Sequence, residues 1–144
     1  MFDNFTKTQI KANGIYINLV HGGVGPPLLL LHGYPQTHVE WHKIAPKLAE
    51  HYTIVAPDLR GYGDSEKPPA QEGDLSIYCK RTTAQDQVEV MEALGFESFH
   101  VVGHGRGARV GHRMALDHPE RVRTFTSLDV VPSQAAFDLS LIHI

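Results

Sequence analysis

Disulfide chemistry has almost nothing to work with in this chain. Cys79 is its single cysteine, which excludes a disulfide framework and lends no support to a zinc site. Long hydrophobic runs are missing too: the longest, 26–31, falls far short of the roughly 20 apolar residues that cross a bilayer. There is no basic excess. Thirteen Lys and Arg stand against sixteen Asp and Glu, a formal charge of -3, which argues against nucleic acid as a partner. Residues 1–10 carry one acid, Asp3, and no apolar stretch of the secretory kind, so a cytoplasmic location is the expectation. Internal repeats, low-complexity tracts and charge blocks are absent as well. What is present is 144 residues, 42% hydrophobic and 20% charged, the composition of one packed domain.

The hydrophobic pattern predicts strands at 5–10 and 15–20, joined at Asn13-Gly14, a strong hairpin signal. The uninterrupted run 27–31 (PLLLL) reads as a strand buried on both faces of a mostly parallel sheet. A helix is expected over 38–50, weakened by Pro46. Strand 52–56, a polar Gly- and Pro-rich segment 58–74 and a helix 76–94 stopped by Gly95 follow. Strand 99–103, helix 106–118 and strand 122–129 complete the series. The order β-β-β-α-β-α-β-α-β implies an α/β fold, a mostly parallel sheet with helices on both faces. Such sheets bind ligands beyond the carboxyl ends of their strands, which directs attention to 32–35, 58–65, 103–107 and Asp129.

The segment Val101-Val102-Gly103-His104-Gly105-Arg106-Gly107 has the spacing G-x-(nucleophile)-x-G of a sharp strand-to-helix turn. Glycines on either side let the backbone pass. The central residue is then held at a helix N-terminus, where the positive partial charge favours an anion.

Together with His32-Gly33-Tyr34-Pro35-Gln36-Thr37, Ala56-Pro57-Asp58-Leu59-Arg60-Gly61-Tyr62-Gly63-Asp64-Ser65 and the run 113–122, this segment resembles the α/β-hydrolase superfamily. Within it, the chain is most similar to the haloacetate (fluoroacetate) dehalogenases, over residues 1–138. The specific part is the arginine pair after the turn, Arg106 and Arg109. The resemblance implies an aspartate that displaces halide from a haloacetate and forms an ester, which a histidine-activated water then hydrolyses. Arg106 and Arg109 lie at i, i+3 on one helix face, where their guanidinium forks would hold the substrate carboxylate. Two solvated helix arginines are the plainer reading of the spacing alone. The backbone N–H groups of Tyr34 and Arg106 would form an oxyanion hole. His32 would order its loop, and Asp129 would orient the catalytic histidine unless it is simply a turn residue. The implied partner is a small haloacid, with no cofactor, no metal and no membrane. A homodimer is a further expectation for the full-length protein.

One departure dominates. Gly105 occupies the nucleophile position, where the resembled family has Asp. The catalytic histidine, the cap and the C-terminal strands of that family would all lie beyond this sequence. The chain as written is therefore expected to be inert. Epoxide hydrolases share the first motifs but commonly carry Trp where this chain has Arg106. A non-catalytic binding module on the same fold is another reading. So is a dinucleotide-binding oxidoreductase, since Gly103-x-Gly105-x-x-Ala108 imitates that fingerprint with Asp129 downstream.

Ten histidines raise the question of metal. His38 and His42 have the spacing of a zinc pair, but no third ligand accompanies them, and His112 and His118 do not share a helix face. Surface or core roles are the expectation for most of them. Trp41 and Tyr62 are assigned to packing and loop anchoring, and Cys79 to an inert helix position. Residues 139–144 (LSLIHI) translate CTGTCTCTTATACACATC, the transposon mosaic end of sequencing libraries, and are expected to be a non-native tail.

Overall fold

In the computed structural model, which describes residues 1–70, 72–131 and 135, the first two strands form a hairpin. β1 (Thr6–Ala12) pairs antiparallel with β2 (Ile15–Gly22). The turn places Asn13 and Gly14 at φ 47° and 82°, the left-handed pair that matches the twist of a hairpin. Four further strands are β3 (Pro27–Leu31), β4 (Thr53–Pro57), β5 (Phe99–His104) and β6 (Val122–Leu128). They build a six-stranded sheet in the order β1-β2-β4-β3-β5-β6. β2 meets β4 antiparallel, whereas β4, β3, β5 and β6 run parallel. The parallel strands therefore deliver the segments after Leu31, Pro57, His104 and Leu128 to one edge of the sheet.

Helices cover both faces, as the alternation predicted. On one face α2 (Lys80–Ala93) and α3 (Arg106–Asp117) bury Val88, Met91, Val110 and Met114 against Leu29, Leu31, Val55 and Val101. On the other, Trp41 and Ala45 pack on Leu28, Leu30, Ile54 and Ala56. The alternate residues of PLLLL thus enter two different cores, and Leu29, Leu30 and Leu31 are fully buried. That is the reason the strand has no polar face.

Two helices differ from the sequence expectation. The helix foreseen over 38–50 is a 3-10 helix (His38–Lys43) followed by a single turn, α1 (Ala45–Leu48). Pro46 sits in the first turn of α1, where its missing N–H costs nothing, and cannot lie in the middle of a longer helix. The helix foreseen from 76 begins at Lys80. Cys79 is its N-cap, with extended backbone and a sulfur that accepts from the Thr82 N–H at 3.5 Å, so the inert helix position assigned to it becomes a capping one. β6 pairs with β5 alone among the described residues, and only Val122 and Phe125 of it pack against the core. No helix among the described residues is long and apolar enough to cross a membrane. The tail assigned to 139–144 and the boundary at 138 lie outside the described residues.

Candidate functional site

The turn between β5 and α3 is one residue long. Gly105 has φ 52° and ψ -112°, a conformation that costs side-chain-bearing residues strain. Its N–H donates to the Leu128 carbonyl at 3.1 Å, and its own carbonyl accepts from Arg109 N at 3.3 Å. The flanking glycines are needed for a different reason. A Cβ at Gly107 would lie 2.2 Å from the Leu31 carbonyl oxygen, and one at Gly103 would lie 2.6 Å from the Ala108 backbone. The helix starts so close to β3 and β5 that no side chain fits there. At Gly105 itself space is open: a Cβ would meet only the Gly33 Cα, at 3.7 Å.

Opposite the turn lies the loop after β3. His32 is completely buried. Its Nε2 accepts from the Leu59 N–H at 2.9 Å, which places its proton on Nδ1, facing the Gly33 carbonyl at 2.8 Å. Burial holds its pKa below the ordinary histidine value, against the opposing pull of the Gly33 carbonyl and of Asp58 and Glu40. His32 ties this loop to the one after β4 and stands away from the pocket, as a loop-ordering residue does. Glu40 clasps the other side. Its Oε2 accepts from the Gly33 N–H at 2.9 Å and its Oε1 lies 2.5 Å from Nδ1 of His104, the residue just before Gly105.

The pocket at this turn, about 350 Å³, is lined by Tyr34, His104, Gly105, Arg106, Arg109 and Asp129. Every residue singled out in the sequence as a site residue therefore borders one cavity. Arg106 stacks its guanidinium over the Tyr34 ring, 5.2 Å from the centroid, and donates to the Tyr62 hydroxyl at 3.3 Å. The Tyr34 and Arg106 amides donate to no group among the described residues. Asp129 follows β6 with φ 51°, is 91% exposed at its side chain, and has Oδ2 3.7 Å from His104 Nε2. Tyr62, assigned to loop anchoring, also packs its ring edge-on against His32 at 5.2 Å.

The carboxylate that opens the loop after β4 is buried and fully bonded. Asp58 accepts from the His38 N–H and ring (both 2.7 Å), from Asn18 Nδ2 (2.8 Å) and from the Asp64 N–H (2.9 Å). Burial pushes its pKa up, but these donors outweigh it and hold the carboxyl well below the usual carboxylate range. His38 is thus committed to Asp58, while His42 turns its Nδ1 to the Val39 carbonyl at 2.8 Å. The two do not converge, and no group of three or more His, Cys, Asp or Glu among the described residues is placed to hold a metal ion.

Sequence reasoning passed over Glu40, His104 and Lys80. Glu40 and His104 lie far apart along the chain and no local pattern links them. Lys80 opens α2 and lines a second cavity that shares Tyr34 and Arg106 with the first. With the helix start expected at 76, no local signal marks this lysine; only the observed start at Lys80 puts a basic residue at a helix N-terminus, against the macrodipole.

A family profile described as the alpha/beta hydrolase fold matches residues 26–142. A fluoroacetate dehalogenase from Burkholderia sp is 50% identical over 138 residues, 96% of this chain and 45% of that protein. A soluble epoxide hydrolase from Corynebacterium sp. (strain C12) is 41% identical over 132 residues, 92% of this chain and 44% of that protein. A crystal structure from Nostoc sp PCC 7120, assigned to the α/β hydrolases, superposes with a TM-score of 0.92 at 58% identity, over 96% of this chain and 47% of its own. The chain spans less than half the length of these relatives. With its parallel sheet, its one-residue glycine turn before α3 and these matches, the chain belongs to the α/β-hydrolase fold family.

Proposed function

We propose that this chain carries the substrate-holding half of a haloacetate dehalogenase site and, as written, binds small haloacids without turning them over. The observation that carries the reading is the pair Arg106 and Arg109, both bordering the pocket at Gly105. Two guanidinium groups on the first turn of a helix suit a carboxylate, with bidentate geometry and the α3 N-terminus beneath. An epoxide carries no charge for them to hold, so the arginines favour a haloacid over the epoxide reading. Tyr34 and Arg106 supply two undonated amides beside the pocket, the arrangement an ester oxyanion would need. Asp129, exposed at the rim, is the acid that would orient a histidine base.

Dehalogenation by this route needs a carboxylate oxygen to attack the α-carbon, form a C–O bond and release halide. Gly105 has no such oxygen, so the ester does not form. Loss of a nucleophile in a comparable hydrolase costs on the order of 10⁶ in rate. The dinucleotide alternative is disfavoured by position: its glycine turn opens a first βαβ unit, whereas this turn follows the fifth strand. A binding module on the hydrolase fold remains compatible with Gly105 and differs from the main reading only in the full-length gene.

Two measurements test the proposal. Calorimetry should show chloroacetate binding and chloroacetamide not, with chloroacetate affinity reduced about ten-fold by Arg109→Gln, one lost charge-assisted contact. Equal binding of acid and amide would refute the carboxylate assignment. A halide electrode should register no fluoride or chloride release from fluoroacetate or chloroacetate, with either the 144-residue chain or its Gly105→Asp variant. Release above the protein-free rate from the unaltered chain would overturn the claim that it is inert.

A further inference from the structure

Beside the Gly105 pocket lies a second cavity of about 420 Å³, between the loop after β4 and the start of α2. Its apolar walls are Leu59, Val110 and the rings of Tyr34, Tyr62 and Tyr78. Four cations line it: Arg60, Lys67, Lys80 and Arg106. Two of these are committed elsewhere. Arg60 makes a buried two-point contact with Asp86, at 2.8 and 2.6 Å, and Lys67 donates to the carbonyls of Gly63 and Ser65 at 2.7 and 3.0 Å. The other two are not. Lys80 has no ion-pair or hydrogen-bond partner among the described residues, and Arg106 has only the neutral Tyr62 hydroxyl and the Tyr34 face.

Lys80 is half-buried, and the ionic groups that act on it most strongly after burial are Arg106 and Arg109, both cationic. Burial and these two charges hold its pKa below the ordinary lysine value. Like charges gathered at a partly desolvated wall repel, and an anion between them removes that repulsion. Phosphate would satisfy the charges and leave the aromatic walls wet. A flat apolar body with a carboxylate satisfies both features, and the volume lies within the range of small-molecule sites.

We propose that the cavity between Tyr62, Tyr78, Lys80 and Arg106 binds an arylalkyl carboxylate, with its carboxylate on Lys80 and Arg106 and its ring between the tyrosines. This site lies beside the Gly105 pocket, shares Arg106 with it, and does not depend on the chemistry proposed there.

The probe is phenylacetate, titrated into the isotope-labelled 144-residue chain and followed by amide shifts and calorimetry. Phenylacetate is expected to shift the amides of Tyr62, Tyr78, Lys80 and Thr83. It should bind about ten-fold or more tightly than 2-phenylethanol, which lacks the charge, and than acetate, which lacks the ring. Lys80→Met should weaken phenylacetate about ten-fold with an unchanged circular dichroism spectrum, and Lys80→Arg should restore it. Equal affinity for phenylacetate and 2-phenylethanol overturns the proposal. So do unchanged affinity in a folded Lys80→Met protein and shifts confined to His104, Gly105 and Asp129. Should Lys80→Met fail to fold, the amide map and the two control ligands on the unaltered chain still decide. Chloroacetate that fails to bind while phenylacetate shifts Lys80 and Tyr78 defeats the Gly105 reading and leaves this one standing; the reverse pattern defeats this one alone.

Discussion

The loops that leave β4 and β5, on either side of β3, begin from the same situation and end differently. Each departs from the carboxyl end of a parallel strand, and each is rich in glycine and charge. After β4 the charge is sealed in: Asp58 is fully buried with four donors, and Ser65 donates to its carbonyl at 2.6 Å while accepting from Asn18 N at 2.9 Å. After β5 the charge is left uncompensated: Arg106, Arg109 and the neighbouring Lys80 face cavities and no described carboxylate pairs with them. A buried charge with every bond made holds a fold together. Cations gathered at a cavity with bonds unmade are what a ligand completes.

The largest expected effect breaks the sealed loop. Asp58→Ala strands four donors and should lower unfolding free energy by about 3–5 kcal/mol in urea titration, the penalty for half of a buried charged network. The same loop sets the acid limb. Asp58 has a folded pKa held below its unfolded value, so its stabilisation is present above about pH 4 and is lost as pH falls through that range. His32, also depressed, adds a loss that begins below about pH 6.5, because the unfolded histidine takes a proton that the buried one refuses. Stability measured from pH 7 downward should therefore fall in two stages, and Asp58→Asn should flatten the lower one.

At the open turn the expected effects are smaller. Gly107→Ala forces a Cβ against the Leu31 carbonyl and should cost about 3 kcal/mol, the upper end of ordinary overpacking. Gly105→Asp meets no steric obstacle and only an unfavourable φ, so thermal melting should show a cost of about 1–2 kcal/mol, partly offset by a carboxylate at the α3 N-terminus. A Gly105→Asp cost equal to that of Gly107→Ala would mean that the central position is as closed as its neighbours. The smallest change lies at the solvent rim of the sealed loop. Lys7→Met removes an exposed ion pair with Asp64 (2.7 Å) and should shift stability by less than about 1 kcal/mol.

Much of the scaffold was legible because its signals are local. Asn13-Gly14 announced the hairpin, PLLLL announced a strand buried on two sides, and G-x-G-x-G announced a helix pressed against a strand. The helix over 38–50 was misjudged because apolar spacing outweighed Pro46, which restricts a helix to starting there. The start of α2 was misplaced because a cysteine is an uncommon cap, and its role as acceptor for Thr82 appears only in the folded turn. Glu40 was unreadable for a different reason. Its two contacts, Gly33 N–H and His104, come from the ends of two strands that become neighbours only when β3 and β5 pair.

The sequence by itself determined the strand and helix series and the glycine turn, and its resemblance to a known family marked Tyr34, Arg106, Arg109 and Asp129. Periodicity, turn chemistry and motif spacing are all properties of contiguous residues. Only the tertiary structure decided which charges are spent and which are free: that Asp58, Arg60 and His38 are locked into buried bonds, while Lys80 joins Arg106 at a cavity wall. Pairing and burial depend on which distant segments the sheet brings together, and a charge written in the sequence carries no mark of its partner.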